Sequence, residues 1–85
     1  MEEDPCDASV LSNRSLCFAL KNQGDLALKD AKACILLKPD WPKAHYREGA
    51  AWNILGKFEQ AAIAFGEGLK WDPENKELQS AFQLS

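Results

Sequence analysis

From Pro39 to Pro73 the sequence reads PDWPKAHYREGAAWNILGKFEQAAIAFGEGLKWDP, and the architecture of the chain can be inferred from this segment. It begins and ends on a proline, and Pro5 lies 34 residues before Pro39, as Pro39 lies 34 before Pro73. Ala27 and Ala61 are separated by the same 34 residues. A period of this length in several residue classes predicts an internal repeat whose units stack on one another.

Apolar residues within each unit follow helical spacing. The sequence therefore predicts an all-α chain of four helices, with a fifth near residues 75–84. The breaks at residues 22–25 and 55–57 are short enough to force antiparallel hairpins. Pro42 is expected in the first turn of a helix, with Asp40 before it as a cap. The apolar positions of the four helices are Leu16, Phe18 and Leu20; Leu26, Ala27, Ala31, Cys34 and Ile35; Tyr46, Ala50, Trp52 and Ile54; Phe58, Ala61, Ala62, Phe65 and Leu69.

Length and composition restrict the class of protein. With 85 residues, 46% of them hydrophobic and 27% charged, the chain is one small globular domain. Its net charge of −3 and its scattered basic residues argue against a nucleic-acid binder. The sequence lacks both the long apolar run of a membrane span and the basic start of a signal peptide. We expect a soluble, cytoplasmic protein.

Side chains suited to catalysis or metal binding do not form a recognisable set. Cys6, Cys17 and Cys34 include no C-x-x-C pair and are interpreted as core residues in a reducing compartment. His45 is the one histidine, so a metal cluster or a Cys/His catalytic pair is not expected, and a packing role is. The sequence predicts a protein that is not an enzyme and has no cofactor.

Other conspicuous residues are given structural roles. Trp52 and Trp71 are expected in the core, and carboxylates such as Asp30 on helix surfaces. Two interpretations of Arg14 stay open, because its stem could pack between helices or its head could form an outward salt bridge. Gly49, inside a predicted helix, is explained by a close helix–helix approach, as is Gly68. Sequence alone gives no reason for Gly66.

A 34-residue helix–turn–helix unit with small residues at two fixed places and a closing proline resembles the tetratricopeptide repeat (TPR). In the later unit the family's pattern positions hold His45, Gly49, Trp52, Ala61, Phe65, Gly68 and Pro73. In the earlier, degenerate unit they hold Leu11, Ser15, Phe18, Ala27, Ala31, Cys34 and Pro39, with Gly24 where an aromatic residue normally packs. The resemblance implies two TPR hairpins, at 8–41 and 42–75, stacked as a short right-handed solenoid. It also implies a capping helix at 76–85 and a remnant of a preceding repeat at 1–7.

One subclass of the family, the carboxylate clamp, implies a binding site. Its groove holds the Glu-Glu-Val-Asp tail of cytosolic heat-shock chaperones with Lys and Asn of the first repeat, Asn of the second, and Lys and Arg of the third. The segment LSNRS places Asn13 at the second-repeat position, and PKAHYR places Lys43 and Arg47 at the third-repeat positions. Amide, ammonium and guanidinium groups suit the carboxylates of such a tail. Taken alone, Lys43 and Arg47 would be ordinary surface charges, and simple solvation is the alternative role of Asn13.

The resemblance therefore predicts an adaptor or co-chaperone that binds a protein's C-terminal peptide. The first-repeat Lys and Asn are absent, which we expect to weaken binding by about 3–6 kcal/mol. An alternative is a structural fragment that self-associates through the apolar face that a preceding repeat would cover.

Overall fold

A computed structural model describes residues 7–84 of the chain. It confirms the predicted all-α class, and these residues form no strand. The described helices are α1 (Ala8–Leu20), α2 (Gly24–Leu37), α3 (Pro42–Ile54), α4 (Phe58–Trp71) and α5 (Lys76–Leu84). The predicted remnant of a preceding repeat lies, apart from Asp7, outside the described residues. Within the described residues, no helix is both long and apolar enough to span a membrane.

Two hairpin turns use residues that tolerate left-handed backbone. Asn22 has a φ of 61° between α1 and α2, and Gly56 has a φ of 77° between α3 and α4. Asparagine and glycine are the residues that adopt this conformation at least cost. Both turns are short, so each pair of helices folds back on itself as predicted.

The helix starts agree only partly with the sequence. At the start of α1 the Asp7 side chain accepts a hydrogen bond of 2.7 Å from the Ser9 backbone N–H. Pro42 opens α3 as predicted, but Asp40 is not its cap: Trp41 precedes the helix, and no side chain caps it. Asn75 accepts a hydrogen bond of 3.0 Å from the Leu78 N–H near the start of α5. That side chain satisfies a donor that the first turn leaves unpaired.

The helices stack in chain order. Each of α1 to α4 packs against the next helix, and α1 also packs against α3. Two apolar clusters lie between them. The first contains Ala8, Leu11, Cys34 and Ala44, and the second contains Ala61, Phe65 and Leu78. Alanines dominate the buried positions, so neighbouring helices can approach closely.

Two glycines allow the closest approaches, as the sequence predicted. A Cβ on Gly49 would lie 2.3 Å from Cε1 of Phe65, and one on Gly68 would lie 2.9 Å from Cδ1 of Leu78. Carbon atoms in contact are ordinarily about 3.5–4.0 Å apart. The Phe65 ring therefore occupies the space that a side chain at position 49 would need.

Gly24 and Gly66 differ in the space around them. A Cβ on Gly24 would lie 2.9 Å from both Cγ2 of Ile54 and Cγ of Leu55, so side chains at the end of α3 fill the place of the family's aromatic residue. A Cβ on Gly66 would lie 3.5 Å from Cε1 of Phe82, an ordinary contact. Packing therefore explains the first glycine and not the second.

The expected apolar side of α1 is wrong in part. Leu16 is 36% exposed and Leu20 is 79% exposed, whereas Leu11, Ser12 and Ser15 are buried. Helix α1 contacts α2 and α3 through a side that includes Ser12 and Ser15, whereas Leu16 and Leu20 lie outside this contact. The Ser15 hydroxyl is satisfied there, because it donates a 2.8 Å hydrogen bond to the carbonyl oxygen of Ala27.

Trp71 is not a core residue as predicted, since it is 55% exposed. It is the last residue of α4, and α5 covers that helix through Leu78, which packs beside Gly68. Trp52 is half-buried and packs against the second cluster, in agreement with its expected role.

Asp30 is buried, contrary to the expectation of a surface carboxylate. Its two oxygens accept hydrogen bonds from Nε and Nη2 of Arg14, at 2.7 and 2.9 Å. Arg14 thus forms the salt bridge that the sequence left as one of two possibilities, and it joins α1 to α2. The hydrogen bond and the negative charge of Asp30 raise the pKa of the Arg14 guanidinium.

The cysteines and the histidine have different surroundings. Cys34 is buried as predicted, and its Sγ donates to the carbonyl oxygen of Ala8 at 3.3 Å. Cys17 is exposed, so its predicted core role is wrong, and Cys6 lies outside the described residues. His45 is buried as predicted, and its Nε2–H donates to the carbonyl oxygen of Pro39 at 2.7 Å.

Burial also changes the acidity of the buried thiol. Removal from water raises the pKa of Cys34, because the thiolate is the charged form. The positive charges of Arg47 and Lys38 oppose this effect.

Candidate peptide-binding site

The contact between α1 and α3 brings a cation of one hairpin to the other. Nε of Arg47, on α3, donates a hydrogen bond of 3.1 Å to Oγ of Ser12, on α1. Ser12 is only 1% exposed and Arg47 is half-buried. The guanidinium is therefore held at the seam where the two hairpins meet.

The other two predicted site residues lie near this contact along the chain. Asn13 follows Ser12 on α1 and is exposed, and Lys43 is exposed in the first turn of α3. Four residues separate Lys43 from Arg47, which is about 6 Å along the helix and about 40° around it. Within residues 7–84, the side chains of Asn13 and Lys43 form neither hydrogen bonds nor ion pairs. Their donors are thus available to a partner.

We name these three residues, Asn13, Lys43 and Arg47, the α1–α3 site. Arg47 contacts α1 directly through Ser12, the residue before Asn13. Lys43 shares the Arg47 side of α3 one turn earlier, and within residues 7–84 neither a hydrogen bond nor an ion pair joins it to α1. Arg14 is adjacent to Asn13, but its guanidinium is already bound to Asp30.

The basic residues are less evenly distributed than the sequence first suggests. Residues 7–47 contain seven Lys and Arg against four Asp and Glu, a net charge of +3. Residues 48–84 contain three against six, a net charge of −3. The α1–α3 site belongs to the part of the chain whose net charge is positive, and such a net charge favours an acidic ligand.

Ser12 is the residue of this region that sequence reasoning missed. The available signal was a serine on the buried side of α1 between two residues of the motif, Leu11 and Asn13. A buried hydroxyl nearly always has a hydrogen-bond partner, so such a serine predicts a contact with another helix. Which partner it has depends on how α3 stacks on α1.

The stacked hairpins define an α-helical repeat protein. Among solved structures, the chain is similar to the second TPR domain of human RPAP3, determined in complex with the HSP70 peptide SGPTIEEVD. The TM-score is 0.89 and the sequence identity is 30%, over 95% of this chain and 68% of that one. The chain belongs to the tetratricopeptide repeat family.

Relatives of known sequence agree with this assignment. The chain is 42% identical over 83 residues to the STIP1 homolog of Dictyostelium discoideum, and 44% identical over 78 residues to an Hsp70-Hsp90 organising protein of Plasmodium falciparum. These matches cover 98% and 92% of this chain, but only 15% and 31% of the two relatives. The chain thus spans less than a third of either protein. No protein-family model matches it.

Proposed function

We propose that the chain is a TPR adaptor whose α1–α3 site binds the acidic C-terminal tail of a heat-shock chaperone. The observation that carries the proposal is the position of Arg47, held on α1 by Ser12 with Asn13 next to it and Lys43 one turn away. The RPAP3 domain, which is similar in fold, holds a peptide that ends in Glu-Glu-Val-Asp. In this proposal the protein acts in the cytosol by binding a partner and not by catalysing a reaction.

The chemistry of the tail suits these donors. A C-terminal aspartate presents two carboxylates, one at the chain end and one on its side chain. Arg47 can donate two parallel hydrogen bonds to one of them, Lys43 supplies a point charge, and Asn13 an amide N–H. Each charge-assisted hydrogen bond contributes about 1.5–3 kcal/mol. We expect these three donor residues by themselves to give a weak complex, with a dissociation constant on the order of 1 mM.

A nuclear magnetic resonance titration tests the proposal at this weak affinity. Unlabelled Glu-Glu-Val-Asp peptide is added to ¹⁵N-labelled protein, and resonances of Asn13, Lys43 and Arg47 should shift together and saturate. Arg47→Ala should weaken binding by about 10- to 150-fold, since it removes a charge-assisted contact. Lys76→Ala is the charge-matched control, because Lys76 begins α5, which packs on α4.

The outcomes are distinct. Shifts at the α1–α3 site that Arg47→Ala abolishes and Lys76→Ala preserves support tail binding. Shifts that are absent at high peptide concentration, or that Lys76→Ala reduces as much as Arg47→Ala, reject it.

A second candidate is self-association, which the exposure of Leu16 and Leu20 favours. These leucines are four residues apart and lie on one side of α1, and exposed apolar patches commonly mark interfaces. Sedimentation over a range of concentrations should then show a dimer that Leu20→Glu disrupts. A monomer at the highest concentration would eliminate this candidate.

We also propose that residues 8–41 and 42–75 are the two repeat units and that residues 76–85 are the capping helix. Support comes from the two hairpins, α1 with α2 and α3 with α4, and from the packing of α5 on α4.

A further inference from the structure

We propose that Ser12 is a positioning residue of the peptide site, because its buried hydroxyl holds Nε of Arg47 and directs the two terminal nitrogens of the guanidinium toward the bound carboxylate. This inference rests on the function proposed above. It assigns to a neutral, buried side chain the task of orienting the cation that contacts the ligand.

The surroundings of Ser12 support this role. Ser12 is buried on α1, and its hydroxyl oxygen accepts a hydrogen bond of 3.1 Å from Nε of Arg47. A buried hydroxyl without a partner is costly, so the contact is favoured before any ligand arrives. The Arg47 side chain is long and would otherwise sample many rotamers. The bond to Ser12 thus orders this side chain in the free protein.

Neighbouring groups restrict the guanidinium further. Its central carbon lies 5.9 Å from the centroid of the Tyr46 ring. Ala44, one turn before the arginine on α3, is fully buried in the first apolar cluster, so α3 lies close to its neighbours there. Ser12 therefore holds Nε at the inner edge of the seam.

The hydrogen bond also determines how a carboxylate can approach. Arginine has five N–H groups, one on Nε and four on the terminal nitrogens Nη1 and Nη2. A carboxylate can accept two parallel bonds either from Nε and one terminal nitrogen or from both terminal nitrogens. Because Ser12 occupies Nε, the structure assigns the end-on mode, in which Nη1 and Nη2 donate. The N–H of Nε does not contact the peptide.

Two serine variants test the role against simple loss of packing. Ser12→Ala should weaken peptide binding about 2- to 10-fold, the effect expected when one side chain must be ordered on binding. Ser15→Ala is the matched control: Ser15 is also 1% exposed on α1, but its hydroxyl donates to the Ala27 carbonyl, and Nε of Arg47 donates to Ser12 instead. It should lower stability without changing the affinity.

A double-mutant cycle with Arg47→Lys isolates the coupling. Lysine lacks a guanidinium and therefore has no Nε–H for Ser12 to hold. In the Arg47→Lys variant, Ser12→Ala should thus have no further effect on affinity. The inference is overturned if Ser12→Ala and Ser15→Ala weaken binding equally, or if Ser12→Ala has its full effect in the lysine background.

The free protein separates this inference from the proposed function. In the absence of peptide, the Arg47 Nε–H resonance should be protected from exchange with water, and Ser12→Ala should remove the protection. If the variant leaves the resonance unchanged, the contact does not hold Arg47 and the inference fails, whatever the peptide does. If the resonance depends on Ser12 but no peptide binds, the peptide-binding proposal fails and the contact between the two side chains stands.

Discussion

Replacing Gly49 by alanine tests the close packing of α3 on α4. The new Cβ would lie 2.3 Å from Cε1 of Phe65 and 2.5 Å from its Cδ1. An ordinary contact needs about 3.5 Å, so the ring or the helix must move by about 1 Å. Phe65 is 1% exposed, and its centroid is 5.7 Å from that of Tyr46, so the ring has no open space to enter.

The expected loss follows from two opposing terms. Overpacking a core costs about 1–3 kcal/mol, and a rigid, buried ring places this site at the upper end. Alanine gains about 1 kcal/mol over glycine in helix propensity. The Gly49→Ala variant should therefore be less stable by about 2 kcal/mol, which lowers the melting temperature by about 8–16 °C for a domain of this size.

Thermal unfolding followed by far-ultraviolet circular dichroism measures the difference. Gly66→Ala is the control, because its Cβ would lie 3.5 Å from the nearest atom of Phe82, and it should raise stability by up to about 1 kcal/mol. If Gly49→Ala melts at or above the wild-type temperature, or if both variants shift the melting temperature alike, the contact of Phe65 with Gly49 does not limit the size of the residue at position 49.

Two further predictions concern buried groups. Arg14→Ala should lower the melting temperature by several degrees, because it leaves the carboxylate of Asp30 buried and unpaired. Lys70→Ala breaks an exposed ion pair and should change the melting temperature little. Equal effects of the two variants would contradict this prediction. Under native conditions a thiol reagent should modify exposed Cys17 and spare Cys34. Because burial raises the pKa of Cys34, its contribution to stability should be complete below about pH 8.5, the unfolded thiol's pKa, and decline above it. In denaturant titrations at increasing pH, Cys34→Ala should remove the part of the loss of stability that Cys34 causes. If stability declines as steeply in the variant as in the wild type, Cys34 does not contribute to the decline.

The architecture was predictable because the repeat period appears directly in the sequence. The 34-residue spacing of Pro39 and Pro73 located the hairpins, and short polar or glycine-containing breaks set their direction. Gly49 and Gly68 were correctly interpreted as close approaches, since a glycine inside a helix has an energetic cost that packing must offset. These features are visible in the sequence because each is marked by a residue type at a fixed position.

Burial was harder to predict, because it depends on neighbours from other helices. Helical spacing shows that Leu16 and Leu20 share a side of α1, but not whether another helix covers that side. Asp30 appears to be a surface residue until α1 places the guanidinium of Arg14 opposite it. Trp71 is exposed because α5 covers α4 farther from its end.

The site was predicted through resemblance, and its supporting contact was not. Asn13, Lys43 and Arg47 occupy motif positions that a family pattern identifies. Ser12 lies within the same segment, but the family pattern gives it no role, and its importance depends on a hydrogen bond to a residue 35 positions away. Tertiary contacts of this kind cannot be inferred from the spacing of residues within one helix.

We propose that the α1–α3 site binds the carboxylate at the end of another chain. The most direct test compares one Glu-Glu-Val-Asp peptide with a free C-terminus and the same peptide with a C-terminal amide, each titrated into the labelled protein. We predict that the free acid shifts the resonances of Asn13 and Arg47, and that the amide binds about 10-fold or more weakly because a charge-assisted contact is lost. Equal affinities for the two peptides would contradict the claim.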